Sequence, residues 1–155
     1  MKRTDKAFIL CLVAVIAAAW YCSTHVVQLM LIHGESMAPS YHSGSLVLLR
    51  RQPETYERGD VVLCVSEVLE RNLVKRIAAV PGDTLETEAD GLYINGVYAA
   101  PLPEQELCAV LPDRVPPGFY LLLGDNRAES VDSRFAAVGL IPASDLCGLV
   151  IFPRR

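Results

Sequence analysis

Gly91-Leu92-Tyr93-Ile94-Asn95-Gly96-Val97-Tyr98 is the stretch on which the fold assignment turns. A two-residue type I′ turn needs positive φ at both central residues, and Asn-Gly supplies it between two runs of β-forming side chains. The stretch therefore predicts a hairpin. Working outward, Val26 to Ile32, Ser45 to Leu49, Asp60 to Val65, Leu73 to Ala79, Gly118 to Leu123 and Leu146 to Phe152 have the same character. Each is short and rich in Val, Ile, Leu or aromatics, and Gly or Pro punctuates most of the gaps. This spacing predicts an all-β domain, a barrel or a sandwich, rather than alternating βα units. Residues 99–117 hold five of the ten prolines and read as a loop.

The N-terminus has a different character. Ala7 to Cys22 carries no charge and contributes heavily to the 52% hydrophobic content. At ~1.5 Å per helical residue it falls short of the ~30 Å hydrocarbon thickness, so a spanning helix has to continue to about Val26. A cleaved signal peptide also has a basic start and small residues such as Ala17-Ala18-Ala19, but here the apolar stretch runs past the alanines. Lys2, Arg3 and Lys6 against Asp5 put the N-terminal side in the cytoplasm by the positive-inside rule. The expected layout is a cytoplasmic tail at 1–6, a transmembrane anchor at 7–26 and one extracytoplasmic domain at 27–155. Residues 84–117 would form a short accessory hairpin and loop, and the apolar Val26 to Ile32 strand suits the membrane surface.

Charge and cysteines exclude several functions. Setting aside Lys2, Arg3, Lys6 and Asp5 takes 14 basic and 18 acidic residues to 11 and 17, about −6 for the exported part. Nucleic acid is excluded as a partner on that balance. Cys11 and Cys22 fall in the anchor, and Cys64, Cys108 and Cys147 stand apart with no C-x-x-C pair and only three histidines to help. No metal or other cofactor is implied, and the cysteines are read as unpaired.

The chemistry rests on three separated stretches. Ser36 lies in Gly34-Glu35-Ser36-Met37-Ala38-Pro39, and Lys75 lies in the apolar run Leu73-Val74-Lys75-Arg76-Ile77. Gly124-Asp125-Asn126-Arg127-Ala128-Glu129-Ser130-Val131-Asp132-Ser133-Arg134 follows. Taken singly, each has a bland reading: a loop serine, a strand lysine turned to solvent, an Asp-Asn turn, and an exposed ion pair worth ~0 to 1 kcal/mol. Taken together they offer a serine with a lysine as its base. Serine is a poor nucleophile until a neighbour takes its proton. A free lysine of pKa ~10.4 can do so at neutral pH only where burial suppresses its charge.

The order Ser36-Met37-Ala38-Pro39, Arg58-Gly59-Asp60-Val61-Val62, Lys75-Arg76, Pro81-Gly82-Asp83 and then the final box from Gly124 to Arg134 resembles the bacterial type I signal peptidases. These are membrane-bound enzymes that cut signal peptides from exported pre-proteins. The resemblance implies a small signal-peptidase-like β-barrel behind the single helix. It makes Ser36 the nucleophile, its backbone N–H the oxyanion donor, Lys75 the general base and Ser130 a hydrogen-bonding partner that orients the lysine. Asp132 and Arg134 would form a supporting salt bridge, and Asp125 would shape the turn. Substrates would be signal-peptide-bearing pre-proteins presented at membrane lipid, bound extended, with alanine-like residues first and third before the cut. Ser40 stands where threonine is usual, and Gly34 cannot offer the hydroxyl some relatives place there. Two alternatives stay open: a processing peptidase dedicated to one pilin or secreted substrate, or akin to the mitochondrial inner-membrane protease, and an inactive membrane-anchored binding module.

Overall fold

The computed structural model describes residues 3–51, 53, 55–66 and 71–154, with the helical side chains described from Phe8 to Tyr21. A helix, α1 (Arg3–His25), leads into the first strand, β1 (Val27–Leu31). Among the described residues no helix is long and apolar enough to cross a membrane. The basic flank expected to orient the chain lies outside the described side chains.

After β1 come β2 (Leu46–Arg51), β3 (Val61–Ser66), β4 (Arg71–Ala79), β5 (Leu85–Glu88), β6 (Gly91–Ile94), β7 (Val97–Ala100), β8 (Phe119–Leu123), β9 (Ile141–Pro142) and β10 (Leu146–Phe152). The strand pairs are antiparallel. They form a seven-stranded sheet, ordered β1-β2-β10-β3-β4-β8-β9, and a three-stranded sheet, β5-β6-β7. The all-β reading of the domain after α1 holds. β9 has two residues paired to β8 and passes directly into a 3₁₀ turn at Ala143–Asp145.

The central strands are covered on both faces. On β3, Val61 and Leu63 join a cluster with Ile32, Met37, Tyr41, Val47 and Leu49. Val62 and Cys64 point the other way, into a cluster with Leu73, Ile77, Leu122 and Leu149. β8 repeats the division, with Leu122 in that second cluster and Leu121 and Leu123 in a third that carries the small sheet. Continuous rather than alternating apolar runs follow from burial on both faces. Cys64 and the half-buried Cys147 are free thiols, and burial pushes the Cys64 thiol up to about 12.

The predicted hairpin forms where expected, with Asn95 at φ 52 and Gly96 at φ 74. Asn95 does more than turn the chain. Its Oδ1 accepts from the Thr84 N–H at 2.9 Å, and its Nδ2 donates to Asp83 at 2.9 Å. Asp83 also takes Arg58 Nη2 at 2.5 Å and the Val80 N–H at 2.8 Å. The small sheet is thereby fastened to the Pro81-Gly82-Asp83 turn. Asn95→Ala is expected to cost roughly 1–3 kcal/mol, combining left-handed backbone strain with the lost hydrogen bonds. Asn95→Gly, free of that strain, should lose less, and urea midpoints of the two variants separate the contributions.

Candidate active site

Ser36 sits in the link between β1 and β2. Its neighbour Met37 is 0% exposed and Tyr41 2%, so the loop is moored in the core by the residues just after the serine. Lys75 lies mid-strand on β4, opposite Val62 of β3. It is 3% exposed, unusual for a lysine side chain. Its Nζ donates to Ser36 Oγ at 2.7 Å. At that separation the proton can also travel the other way once the amine is neutral. A cleft of about 420 Å³ opens beside the pair, with Ile32, Leu73, Val74 and Val131 among its apolar walls and Glu35 and Glu129 also lining it.

The final box is packed directly behind the serine. The Asn126 N–H donates to the Ser36 carbonyl at 3.0 Å, and Asn126 Nδ2 donates to the Glu35 carbonyl at 3.2 Å. Gly124 is needed here for space. A β-carbon would come within 2.5 Å of the Ser36 carbonyl oxygen and would overlap the Ser130 side chain.

Asp132 and Arg134 pair as expected, but not at the surface. Their side chains are 0% and 2% exposed, and Arg134 Nε donates to Asp132 Oδ1 at 2.8 Å. Asp132 Oδ2 also accepts from the Gly124 N–H at 3.0 Å. Arg134 donates to the carbonyls of Pro101, Arg127 and Ser130 at 2.8, 2.8 and 3.2 Å. Asp125 meets a partner the sequence reading missed. Arg76, next to Lys75, grips it with Nε to Oδ1 at 2.8 Å and Nη2 to Oδ2 at 2.6 Å. Burial alone would raise the Asp125 carboxyl, but hydrogen bonds from Arg76 and Ser40 hold it below its usual value. The available signal was strand alternation: if Lys75 faces the site, Arg76 faces the opposite side.

Ser130 is 2% exposed, and its Oγ makes no hydrogen bond. The backbone sets this position. The Ser130 N–H donates to the Asn126 carbonyl at 3.0 Å, its own carbonyl is held by Arg134, and the side chain is left against the Gly124 Cα. Among the described residues no group of three His, Cys, Asp or Glu is placed to hold a metal.

Residues 5–154 match the family described as signal peptidase, peptidase S26. The chain is 34% identical over 141 residues to a signal peptidase I of Bacillus amyloliquefaciens, covering 79% of this chain and 72% of the relative. The same figures hold for signal peptidase I T of Bacillus subtilis strain 168. Signal peptidase I U of that strain is 30% identical over 170 residues, covering 98% of this chain and 90% of the relative. A crystal structure of a signal peptidase I from Enterococcus faecalis V583 superimposes with a TM-score of 0.50 at 29% identity, covering 64% of this chain and 99% of that one. A matching family model over nearly the whole chain, relatives of this identity and a shared fold place the chain in the signal peptidase family, peptidase S26.

Proposed function

We propose that this serine endopeptidase of signal peptidase I type cleaves signal peptides through Ser36 as nucleophile and Lys75 as general base. The observation that carries the assignment is the 2.7 Å contact between Nζ and Oγ at a lysine buried to 3% exposure. Burial disfavours the ammonium form, which is what a lysine base requires. In the first step Ser36 Oγ attacks the scissile carbonyl carbon while Lys75 Nζ takes the hydroxyl proton. The carbonyl oxygen becomes an oxyanion, facing the Ser36 N–H. As the C–N bond breaks, the Lys75 ammonium returns the proton to the leaving amine. Lys75 then activates water to release the acyl group, and the serine is restored. Ser130 buttresses Gly124 at this site, while Asp132, Arg134 and Asp125 support the turn behind it.

We further propose the layout of residues 1–6 as cytoplasmic tail, 7–26 as membrane anchor and 27–155 as extracytoplasmic domain. One face of the sheet supports it. Leu31 pairs with Leu46, Leu29 with Leu48, and Leu48 with Phe152, so these side chains share one side of β1-β2-β10. Leu29, Leu31, Leu46 and Phe152 are exposed there, next to the strand that α1 enters. A contiguous apolar surface beside a helix of this composition suits a lipid boundary. No observation favours a dedicated substrate over a general repertoire, and the intact Ser36–Lys75 contact argues against an inactive binding module.

Ser36→Ala is expected to lower kcat by at least ~10³-fold without loss of fold, measured on a pre-protein with the new N-terminus sequenced. Lys75→Arg should be equally inactive because guanidinium stays protonated. Wild-type activity should rise with pH along a single ionisation below the ~10.4 of free lysine. Near wild-type turnover by Lys75→Arg would require another base. Gly124→Ala, forced against the Ser36 carbonyl, should lose about 1–3 kcal/mol of stability and most of its activity, read by melting and by kcat on one preparation. For topology, protease added at the outer face of oriented vesicles should digest the domain, whereas digestion only from the cytoplasmic face would invert the layout.

A further inference from the structure

Glu35 precedes Ser36, and its exposed side chain is tied on both carboxylate oxygens. The Ser43 N–H donates to Oε1 at 3.1 Å, and His42 Nδ1 lies 2.9 Å from Oε2. An ionised carboxylate only accepts, so His42 Nδ1 carries the proton. The His42 hydrogen bond, and after it the Ser43 N–H, hold the Glu35 carboxyl below its usual value, which keeps it ionised at neutral pH.

The turn that grips Glu35 is itself braced. Its own closure is the Ser45 N–H on the His42 carbonyl at 3.0 Å and the His42 N–H on Ser45 Oγ at 3.1 Å. It is fixed to the segment entering the site by the Ile32 N–H on the Ser45 carbonyl at 2.9 Å and the Gly44 N–H on the Ile32 carbonyl at 2.8 Å. Ser43 Oγ adds a contact from the Gly34 N–H at 3.3 Å. On its main-chain side, the Glu35 carbonyl accepts from the Ala38 N–H at 3.0 Å and from Asn126 Nδ2 at 3.2 Å. A peptide unit is planar and trans, so fixing the Glu35 carbonyl also fixes the Ser36 N–H, which points the opposite way.

We infer that Glu35 is a positioning residue: clamped by His42 and the Ser43 N–H, it sets the Glu35–Ser36 peptide plane and hence the direction of the Ser36 N–H toward the oxyanion. As a stability device the pair would matter little, since the His42 and Glu35 side chains are 61% and 45% exposed and water screens such a pair. As a geometric device it matters more, because a misplacement of about 1 Å at a reacting centre can cost ~10²-fold in rate. The inference rests on Ser36 being the nucleophile.

The test uses the full chain in detergent, with steady-state kinetics on a peptide carrying an Ala-x-Ala cleavage sequence. Glu35→Ala is expected to lower kcat about 10- to 100-fold with KM within about twofold, at an unchanged melting temperature. Glu35→Gln, whose amide oxygen can still accept from the Ser43 N–H, should recover most of the loss. His42→Ala should show a smaller fall in kcat, and Glu35→Ala with His42→Ala should be no worse than Glu35→Ala alone, because both act through one clamp. A Glu35→Ala kcat within twofold of wild type, a loss confined to KM, or multiplying losses in the double variant would overturn the inference. Ser36→Ala assayed alongside separates the two readings. An active Ser36→Ala removes the nucleophile assignment, whereas an inactive one beside a fully active Glu35→Ala removes only the clamp.

Discussion

The rest of the site depends on the buried ion pair between Asp132 and Arg134. Taking two charges out of water costs several kcal/mol per ion unless their hydrogen bonds are replaced. Here the replacements are main-chain groups from separate segments: Gly124, Pro101, Arg127 and Ser130. Satisfying the pair therefore dictates where the 124–130 turn runs and keeps it against the loop after β7. That turn brings Asn126 to the carbonyls of Glu35 and Ser36, so a salt bridge that does not touch the serine helps to hold its backbone. Gly124 is the tightest point of the chain of contacts, pressed between Ser130 and the Ser36 carbonyl.

The second requirement is a dry lysine, and the sheet provides it. β3 and β8, the strands flanking β4, are lined with apolar side chains on both faces, so a side chain leaving the middle of β4 is shielded by neighbours on each side. Leu73 and Ile77, which share a face with Lys75, belong to the cluster that holds Val62, opposite Lys75 in the ladder. In a soluble sheet with one wet face, a lysine at this position would turn outward and stay charged. Burial on both faces is thus what the proposed role of Lys75 as base draws on, as well as a packing feature.

Much of the fold was legible because local signals agreed with each other. The Asn95-Gly96 turn, the positions of β1, β2, β3, β4, β8 and β10, and the proline-rich loop after the hairpin all carry distinctive local chemistry. β5 was missed because Leu85-Glu86-Thr87-Glu88 buries one side chain and otherwise reads as a charged turn. β9 was missed because it is two residues long and exists only through its pairing with β8. For the site, order and spacing picked out Ser36, Lys75 and the final box, which the fold brings together. Burial of Asp132 and Arg134, the Arg76 grip on Asp125 and the burial of Ser130 against Gly124 depend on contacts between segments distant in sequence, for which a single chain carries no local signal.

Adjacent cations on one strand bring these requirements together. Lys75 and Arg76 point to opposite faces because side chains alternate along a strand. The first enters the dry side toward Ser36, and the second reaches the turn that the final box presents, taking Asp125 in a two-point grip. A slip of one residue in the pairing of β4 would turn Lys75 away from Ser36 and take Arg76 off Asp125, since every side chain of the strand would change face. The register is set by the β3 ladder, which runs unbroken from Val61 opposite Arg76 to Ser66 opposite Arg71. The irregularity lies beyond it, between Ile77 and Ala79 on the β8 side. The Lys75 contact with Ser36 and the Arg76 grip on Asp125 are therefore specified by a single choice of register, and the apolar runs on β3 and β4 that bury the lysine also make the wrong register costly.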